Sequence, residues 1–228
     1  MQAISPAAAR HFPPAALAMR GPAAIPRRPA AEPGVRLRFA KGEAIYTEGD
    51  EAERFYRIVS GTVRICKMLH DGRRQIEAFH FARDIFGLER GDGHRFTAEA
   101  VDDVVVLAFR ARGLEDLIRD DPDLGGELMT SLLSSLDRAR DHLVLLGRKS
   151  AREKIAAFLL DIAERLSGDD HFELPMQRGD IADHLGLTIE TVSRTLTRMA
   201  RDGLIGLQAC GRTVEILNRD GLTAADAG

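Results

Sequence analysis

Cysteine is scarce in this sequence: Cys66 and Cys210 are the two thiols among 228 residues. Two cysteines cannot form the disulfide framework of a small secreted domain, so the sequence predicts a protein of the reducing cytoplasm. They also fall short of the four thiolates that an iron–sulfur cluster usually takes from one chain. We therefore expect no cluster of this kind, and no other cofactor.

Long apolar runs are also absent. None approaches the roughly 18 residues that a membrane span needs, and no secretory signal is recognisable, so we expect no membrane contact. Strong charge of one sign is missing too, because the formal net charge is −3. Any contact with a nucleic acid must then depend on a local basic surface rather than on the charge of the whole chain.

Catalytic motifs are lacking as well. The sequence has no glycine-rich phosphate loop, no nucleophile elbow and no His/Cys/Asp cluster with the spacing of metal ligands. It therefore predicts no catalytic residues, no metal site and a protein that is not an enzyme.

The first 34 residues differ in composition from the rest. They are rich in alanine and proline and carry four arginines against one acid, Glu32. Such a segment buries little apolar surface, so residues 1–34 are predicted to form a disordered basic arm. An organellar transit peptide has a similar composition and stays open as the alternative.

Residues 35–121 have the pattern of an antiparallel β-roll. Short apolar or alternating runs such as 55–59, 62–68 and 104–107 are separated by glycine, and no long helix intervenes. Asp71-Gly72 between two such runs is typical of a hairpin turn. Residues 112–121 are predicted to form a short helix at the end of this domain.

The period then changes to that of a long helix over residues 122–148. Apolar residues recur at spacings of 3, 4, 3, 4 and 3, which is the pattern of a seam between two supercoiled helices. A second copy of the chain is the expected partner, and packing on the chain's own domain is the alternative. The predicted homodimer seam is Met129, Leu132, Leu136, Ala139, Leu143 and Leu146.

Residues 149–228 are predicted to form a winged helix-turn-helix. Two short helices, 177–185 and 188–201, flank Gly186, which allows the tight turn between them. Thr188 is a suitable N-cap for the second helix, and residues 204–217 have the pattern of a small hairpin. The buried face of the second helix is predicted to be Ile189, Val192, Leu196 and Met199.

The opposite face of the second helix suits double-stranded DNA. An arginine can pair with guanine, a glutamate can accept from cytosine, and a serine can contact several bases. A solvated polar face is the alternative interpretation. The predicted base contacts are Glu190, Ser193 and Arg194. The predicted phosphate contacts are Gln177, Arg178, Thr188, Thr191, Thr195, Arg198, Arg201 and Arg212.

These segments resemble the CRP/FNR family of transcription regulators over about residues 35–217. Residues 55–63 resemble the family's β-roll signature, and residues 189–194 resemble its E-x-x-S-R recognition motif. Residues 84–89 and 94–100 look most like FixK-type members. The resemblance implies an α+β protein that binds a palindromic TTGAT…ATCAA-type site as a dimer. It also implies an activator of microaerobic, nitrogen-fixation or denitrification genes that contacts RNA polymerase.

Two departures from the family pattern bear on sensing. Cyclic-AMP-binding members have Gly-Glu-Leu and Arg-Ser where this sequence has Gly87-Leu88-Glu89 and Arg95-Phe96. We therefore expect no cyclic-nucleotide response, although a β-roll that binds another small effector remains the alternative. Cys210 precedes Arg212 in the predicted hairpin, so it is a possible redox thiol, against the alternative of an inert one.

Overall fold

In the computed structural model, residues 34–89, 91–111, 114, 118–119, 122–166, 169–208 and 212–227 are described. The predicted arm lies outside these residues except for Gly34, and so does Cys210. Most of the short helix predicted over residues 112–121 also lies outside them.

The N-terminal half forms the predicted antiparallel β-roll, which is confirmed. Within the described residues, two four-stranded sheets have the orders β1-β8-β3-β6 and β2-β7-β4-β5. Their strands are β1 (Val35–Phe39), β2 (Ala44–Tyr46), β3 (Arg54–Ser60), β4 (Val63–Met68), β5 (Arg74–His80), β6 (Ile85–Phe86), β7 (Thr97–Ala100) and β8 (Val104–Arg110).

The two sheets enclose an apolar core because side chains alternate across each strand. Ile58 of β3 and Val106 of β8 meet Val63 of β4 and Ala98 of β7, and each of these four is at most 2% exposed. Glycine is required at Gly61, which joins β3 to β4 with φ of +89°. A Cβ atom there would lie 2.5 Å from the carbonyl oxygen of Asp103.

The C-terminal half is helical with a small sheet. Its elements are α1 (Pro122–Arg148), α2 (Ala151–Leu166), β9 (His171–Glu173), α3 (Arg178–Leu185), α4 (Ile189–Arg201), β10 (Ile205–Leu207), β11 (Thr213–Ile216) and α5 (Arg219–Ala227). The long helix and the helix-turn-helix with its hairpin are confirmed. Strand β9, which pairs with β11, and helix α5 were not predicted.

One apolar cluster joins the β-roll to the helices. Ile76 and Phe79 of β5 belong to the same buried cluster as Phe158 of α2, Leu185 of α3 and Leu196 of α4. Burial of such side chains contributes about 1.5–3 kcal/mol each to folding. The roll and the helix-turn-helix are therefore held together by a shared core.

Helix α1 divides its apolar residues between two directions. Leu128 and Leu145 are buried against the chain's own core. The large apolar residues of α1 that are exposed form what we call the exposed stripe of α1. Its members are 47–71% exposed: Met129, Leu132, Leu133, Leu136, Leu143 and Val144.

Two predicted seam residues lie apart from this stripe. Ala139 is half-buried, and Leu146 packs against the shared core because the end of α1 approaches α3. Within the described residues, no helix is both long and apolar enough to cross a membrane.

His184 of α3 lies at the centre of the contact between the roll and the helices. Its ring stacks on His142 of α1 with centroids 4.2 Å apart, meets Phe79 edge-on and lies tilted against Phe158. Burial, and next the charge of His142, lower the pKa of His184 to about 3. The ring is therefore neutral in the folded protein at pH 7.

Acid should destabilise the fold through His184. The unfolded chain takes up a proton near pH 6.5, whereas the folded ring resists protonation down to about pH 3. The contribution of this ring to stability is therefore complete above pH 6.5 and is lost as the pH falls. Between pH 7 and pH 5 we expect a loss of about 2 kcal/mol in the free energy of unfolding.

Urea unfolding of the parent and of His184→Asn at the two pH values checks this prediction. Asparagine keeps a donor near the position of Nδ1 and does not titrate, so the variant should show a shallower pH dependence. The same pH dependence in both proteins would contradict the assignment to His184.

Candidate nucleic-acid interface

The turn between α3 and α4 is built from local hydrogen bonds. Gly186 ends α3 in the left-handed conformation (φ 63°, ψ 42°), and the backbone N–H of Leu187 donates to the carbonyl of Ala182 at 3.0 Å. The hydroxyl of Thr188 then accepts from the backbone N–H of Thr191 at 3.2 Å and caps α4. These contacts fix the angle between the two helices, as a helix-turn-helix requires.

Helix α4 presents one buried and one exposed face. Val192, Leu196 and Met199 are at most 2% exposed and pack on the shared core, as predicted. Ile189 was predicted to be buried with them, but it is 52% exposed. The prediction was wrong because Ile189 is the first residue of the helix, and its side chain lies beside the start of α3, where a Cβ atom on Gly179 would be 3.7 Å from Ile189 Cδ1.

The exposed face of α4 is polar and mostly basic. Glu190, Arg194, Arg198 and Arg201 are exposed, and Ser193 is half-buried. Among the residues that the structure describes, none forms an ion pair with any of these three arginines. Three cations therefore face outward beside one carboxylate.

Glu190 is ionised at neutral pH. Its own backbone N–H, then the Thr188 hydroxyl and finally the charge of Arg194 hold the pKa of Glu190 below its ordinary value. The carboxylate is therefore an acceptor only, and it lies one helical turn from the Arg194 guanidinium. This pair can contact one donor and two acceptors on base edges.

The other predicted phosphate contacts flank this face. Gln177 is exposed at the N-terminus of α3, Arg178 is half-buried beside it, and Thr191 and Thr195 are half-buried on α4. Their expected contacts with DNA stay predictions.

Thr188 and Arg212 are engaged within the chain. Thr188 caps α4, whereas Arg212 donates from Nε to the Leu174 carbonyl (3.2 Å) and from one terminal nitrogen to the Pro175 carbonyl (3.1 Å). Arg212 therefore ties the start of β11 to the segment that precedes α3. A phosphate contact by either residue also stays a prediction.

A cavity of about 670 Å³ lies between the roll, α1 and α2. Phe86 and Leu88 line it from the roll, Leu132 and His142 from α1, and Phe158 from α2. The residues present do not fit a cyclic nucleotide phosphate. Phe96, at the position of the expected hydroxyl, packs on the core of the roll with Lys67 Nζ 5.7 Å from its ring centroid.

Glu89, which stands one position after the Glu of the cyclic-AMP-binding members, is also engaged within the chain. The Glu89 carboxylate accepts from the Arg95 backbone N–H at 3.4 Å and lies 3.9 Å from His94 Nδ1. Among the described residues, no group of three or more His, Cys, Asp or Glu side chains is arranged to hold a metal ion.

Burial raises the pKa of the Cys66 thiol to about 11, so this thiol is protonated at neutral pH.

Comparison with known families and relatives agrees with this geometry. Residues 36–121 match the cyclic nucleotide-binding domain, and residues 153–225 match the Crp-like helix-turn-helix domain. The nitrogen fixation regulation protein FixK of Rhizobium meliloti (strain 1021) is 41% identical over 196 residues, covering 85% of this chain and 89% of that protein. The chain belongs to the CRP/FNR family.

Two further similarities agree with this family. The transcriptional activatory protein AadR of Rhodopseudomonas palustris (strain ATCC BAA-98 / CGA009) is 38% identical over 194 residues, covering 83% of this chain and 81% of that protein. The structure of FixK2 from Bradyrhizobium japonicum is 42% identical, with a TM-score of 0.79 over 86% of this chain and 98% of that one. The chain is thus a FixK-like transcription regulator with a helix-turn-helix DNA-binding domain.

Removal of the Thr188 cap should destabilise α4. In Thr188→Ala the backbone N–H of Thr191 loses its acceptor, so we expect the free energy of unfolding to fall by about 1 kcal/mol. Thr188→Ser keeps the oxygen and serves as the matched control, with a change of only a few tenths of a kcal/mol. Chemical denaturation measures both, and equal losses in the two variants would show that the hydroxyl is not the stabilising group.

Proposed function

We propose that the chain activates transcription as a homodimer that places one α4 helix in each of two successive major grooves of a palindrome. The exposed arginines of α4 carry this proposal, because no ion pair within the described residues engages their guanidinium groups. In the major groove, Arg194 would pair with guanine O6 and N7, and Glu190 would accept from cytosine N4.

The N-terminus of α4 has two further groups for base contacts. Ser193 lies one turn into the helix and can donate to or accept from a base. Ile189, which the sequence pattern assigned to the core, is exposed beside Glu190 and suits the methyl group of thymine. The periodic pattern did not identify Ile189 as a candidate base contact, because it assigned the residue to the buried face.

Phosphate contacts would come from the ends and flanks of the two helices. Arg198 and Arg201 extend the basic face of α4, while Gln177 and Arg178 lie at the N-terminus of α3. Backbone N–H groups at such a terminus also favour an anion. These contacts would fix register and orientation without selecting a sequence.

The exposed stripe of α1 supports the homodimer. It is the main part of a seam with period 3.5, and a symmetric dimer brings the same stripe of two copies together. Exposed apolar residues over this length of helix are unusual on a monomer. Two copies would then hold their α4 helices about 34 Å apart, one turn of DNA.

The relatives support a role in the activation of nitrogen-fixation genes. FixK of Rhizobium meliloti is a nitrogen fixation regulation protein, and AadR is a transcriptional activatory protein. We propose that this chain acts on genes of the same type from an FNR-like palindrome in the cytoplasm. It would recruit RNA polymerase and would act by binding rather than by catalysis.

An effector-gated regulator is the second candidate, and the cavity between the roll and α1 favours it. The two candidates differ in one measurable property. A regulator without an effector binds its palindrome as purified, whereas a gated one binds it no better than scrambled DNA until a small molecule is added.

Leu136 tests the dimer. Leu136→Glu places a charge in the exposed stripe of both copies, so we expect the dimer to weaken by about a hundredfold. Leu217→Glu is the matched control, because Leu217 is also exposed (56%) but lies beyond β11. Sedimentation equilibrium should show dissociation only for Leu136→Glu. A parent that sediments as a monomer, or a Leu136→Glu variant as dimeric as the control, would contradict the proposed interface.

Arg194 and Arg201 test base readout against phosphate contact. Arg194→Ala should cost about 1–3 kcal/mol per half-site and relax the preference at one base pair. Arg201→Ala should weaken binding to all sequences alike and reduce the salt dependence by about one charge per half-site. Selection from a random duplex pool, followed by titration at several salt concentrations, measures both. A uniform loss for Arg194→Ala would show that its assigned role is wrong.

A further inference from the structure

Strand β5 of the roll binds α3 through polar groups. Arg74 lies with one terminal nitrogen 2.5 Å from Asp180 Oδ1 and with Nε 2.9 Å from Asp183 Oδ2. The next residue, Gln75, donates to the carbonyl of His184 at 3.3 Å. Two successive residues of one strand thus hold successive turns of α3.

The contact continues at Ile76, whose carbonyl accepts from His184 Nδ1 at 3.1 Å. Because β5 is an edge strand of the sheet β2-β7-β4-β5, its free edge is covered by the helix. The helix therefore lies in one register along the strand.

A second guanidinium reinforces the same site. Arg64 of β4 lies 3.1 Å from Asp180 Oδ1, and its Nε donates to Glu99 of β7 at 2.8 Å. Asp180 is only 5% exposed, so its charge is compensated by two arginines rather than by water. Separation of such a buried pair leaves an uncompensated charge, which is strongly unfavourable.

Asp180 also belongs to the N-terminus of α3. Its Oδ2 accepts from the backbone N–H of Gln177 at 3.1 Å while Oδ1 faces the arginines. One carboxylate therefore caps the first helix of the helix-turn-helix and joins it to the roll. A rotation of α3 about its axis would break charge-assisted bonds whose geometry is directional.

The other end of α3 is held by α1 and α2. His142 of α1 stacks on His184, and Lys154 of α2 donates to the carbonyl of Leu185 at 3.1 Å. A Cβ atom on Gly186 would lie 3.5 Å from Leu146 of α1. Helix α3 is therefore fixed at both ends relative to the helix that carries the exposed stripe.

The recognition helix takes its direction from α3. Helix α4 packs mainly on α3, α2 and β10, so the angle between α4 and α1 follows from how α3 is docked. A change of one base pair in half-site separation moves the second site by about 3.4 Å and rotates it by about 35°. If the two α4 helices are docked rigidly, the dimer should bind a palindrome of shifted spacing less tightly. If they are docked loosely, they can adjust to the new spacing and the affinity should change little.

We propose that Arg74, Asp180 and Asp183 are positioning residues that set the half-site spacing accepted by the dimer. The proposal rests on the proposed function, since it requires that two α4 helices read one palindrome. It differs from a purely stabilising role, because a general loss of stability weakens binding to every duplex by the same factor.

The experiment compares Arg74→Gln with Arg73→Gln. Arg73 is the neighbouring arginine, but its partner is Asp71 in the exposed tip of the β4–β5 hairpin. Each protein is titrated with the selected palindrome, with palindromes whose centre is longer or shorter by one base pair, and with a single half-site.

We expect Arg74→Gln to lose about tenfold of the preference for the selected spacing over the shifted ones. Its affinity for a single half-site should equal that of the parent. Arg73→Gln should retain the full spacing preference.

A second variant covers the case in which Arg74→Gln does not fold. Asp183→Asn keeps the shape of a side chain that is 33% exposed and removes one of the three carboxylate partners of Arg74, which are Glu99, Asp180 and Asp183. It should lose part of the spacing preference while its circular dichroism and melting temperature stay near those of the parent.

Two kinds of result separate the inference from the proposed function. An unchanged spacing preference in Arg74→Gln, or in Asp183→Asn where the first variant is unfolded, overturns the inference, as does an equal loss on all duplexes and the half-site. A parent that binds no palindrome better than scrambled DNA, both as purified and after small molecules are added, overturns the proposed function itself, and the inference with it.

Discussion

The buried carboxylate of Asp180 connects the two halves of this chain. It caps the first helix of the helix-turn-helix, and it binds two arginines that belong to adjacent strands of the roll. Since the buried charge is stable only while these arginines stay in place, α3 cannot leave the roll without separating its capping carboxylate from both counter-ions. The first helix of the helix-turn-helix is consequently bound to the framework of the roll.

Where the roll meets the helices, one set of interactions supplies most of the favourable free energy and another sets the orientation of the helices. The apolar cluster that runs from Ile76 and Phe79 into α2, α3 and α4 supplies most of the favourable free energy, but dispersion and burial have little directional preference. The ion pairs and the His184 contacts add less energy and fix one angle. A shared core with no polar frame would hold the halves together in several orientations, whereas two recognition helices need one.

The sequence predicted what local pattern determines and missed what distant contacts determine. The turn at Gly186, the cap at Thr188 and the buried face of Val192, Leu196 and Met199 follow from residues within a few positions of each other. The pairing of Arg74 with Asp180 joins residues 106 apart, and no periodicity signals it. Ile189 was misassigned because period alone cannot show where the neighbouring helix ends.

Net charge is a poor guide to the partner of this chain, and the ion pairs explain why. The chain has 35 acidic and 32 basic side chains, yet acids such as Asp180, Asp183 and Glu99 are neutralised inside the fold by Arg64 and Arg74. The arginines of α4 form no ion pair within the described residues, so their charges face solvent. Because screening at physiological salt limits exposed charges to about 8 Å, a phosphate near α4 responds to those arginines and hardly to the total. An acidic protein can therefore carry a surface that attracts DNA.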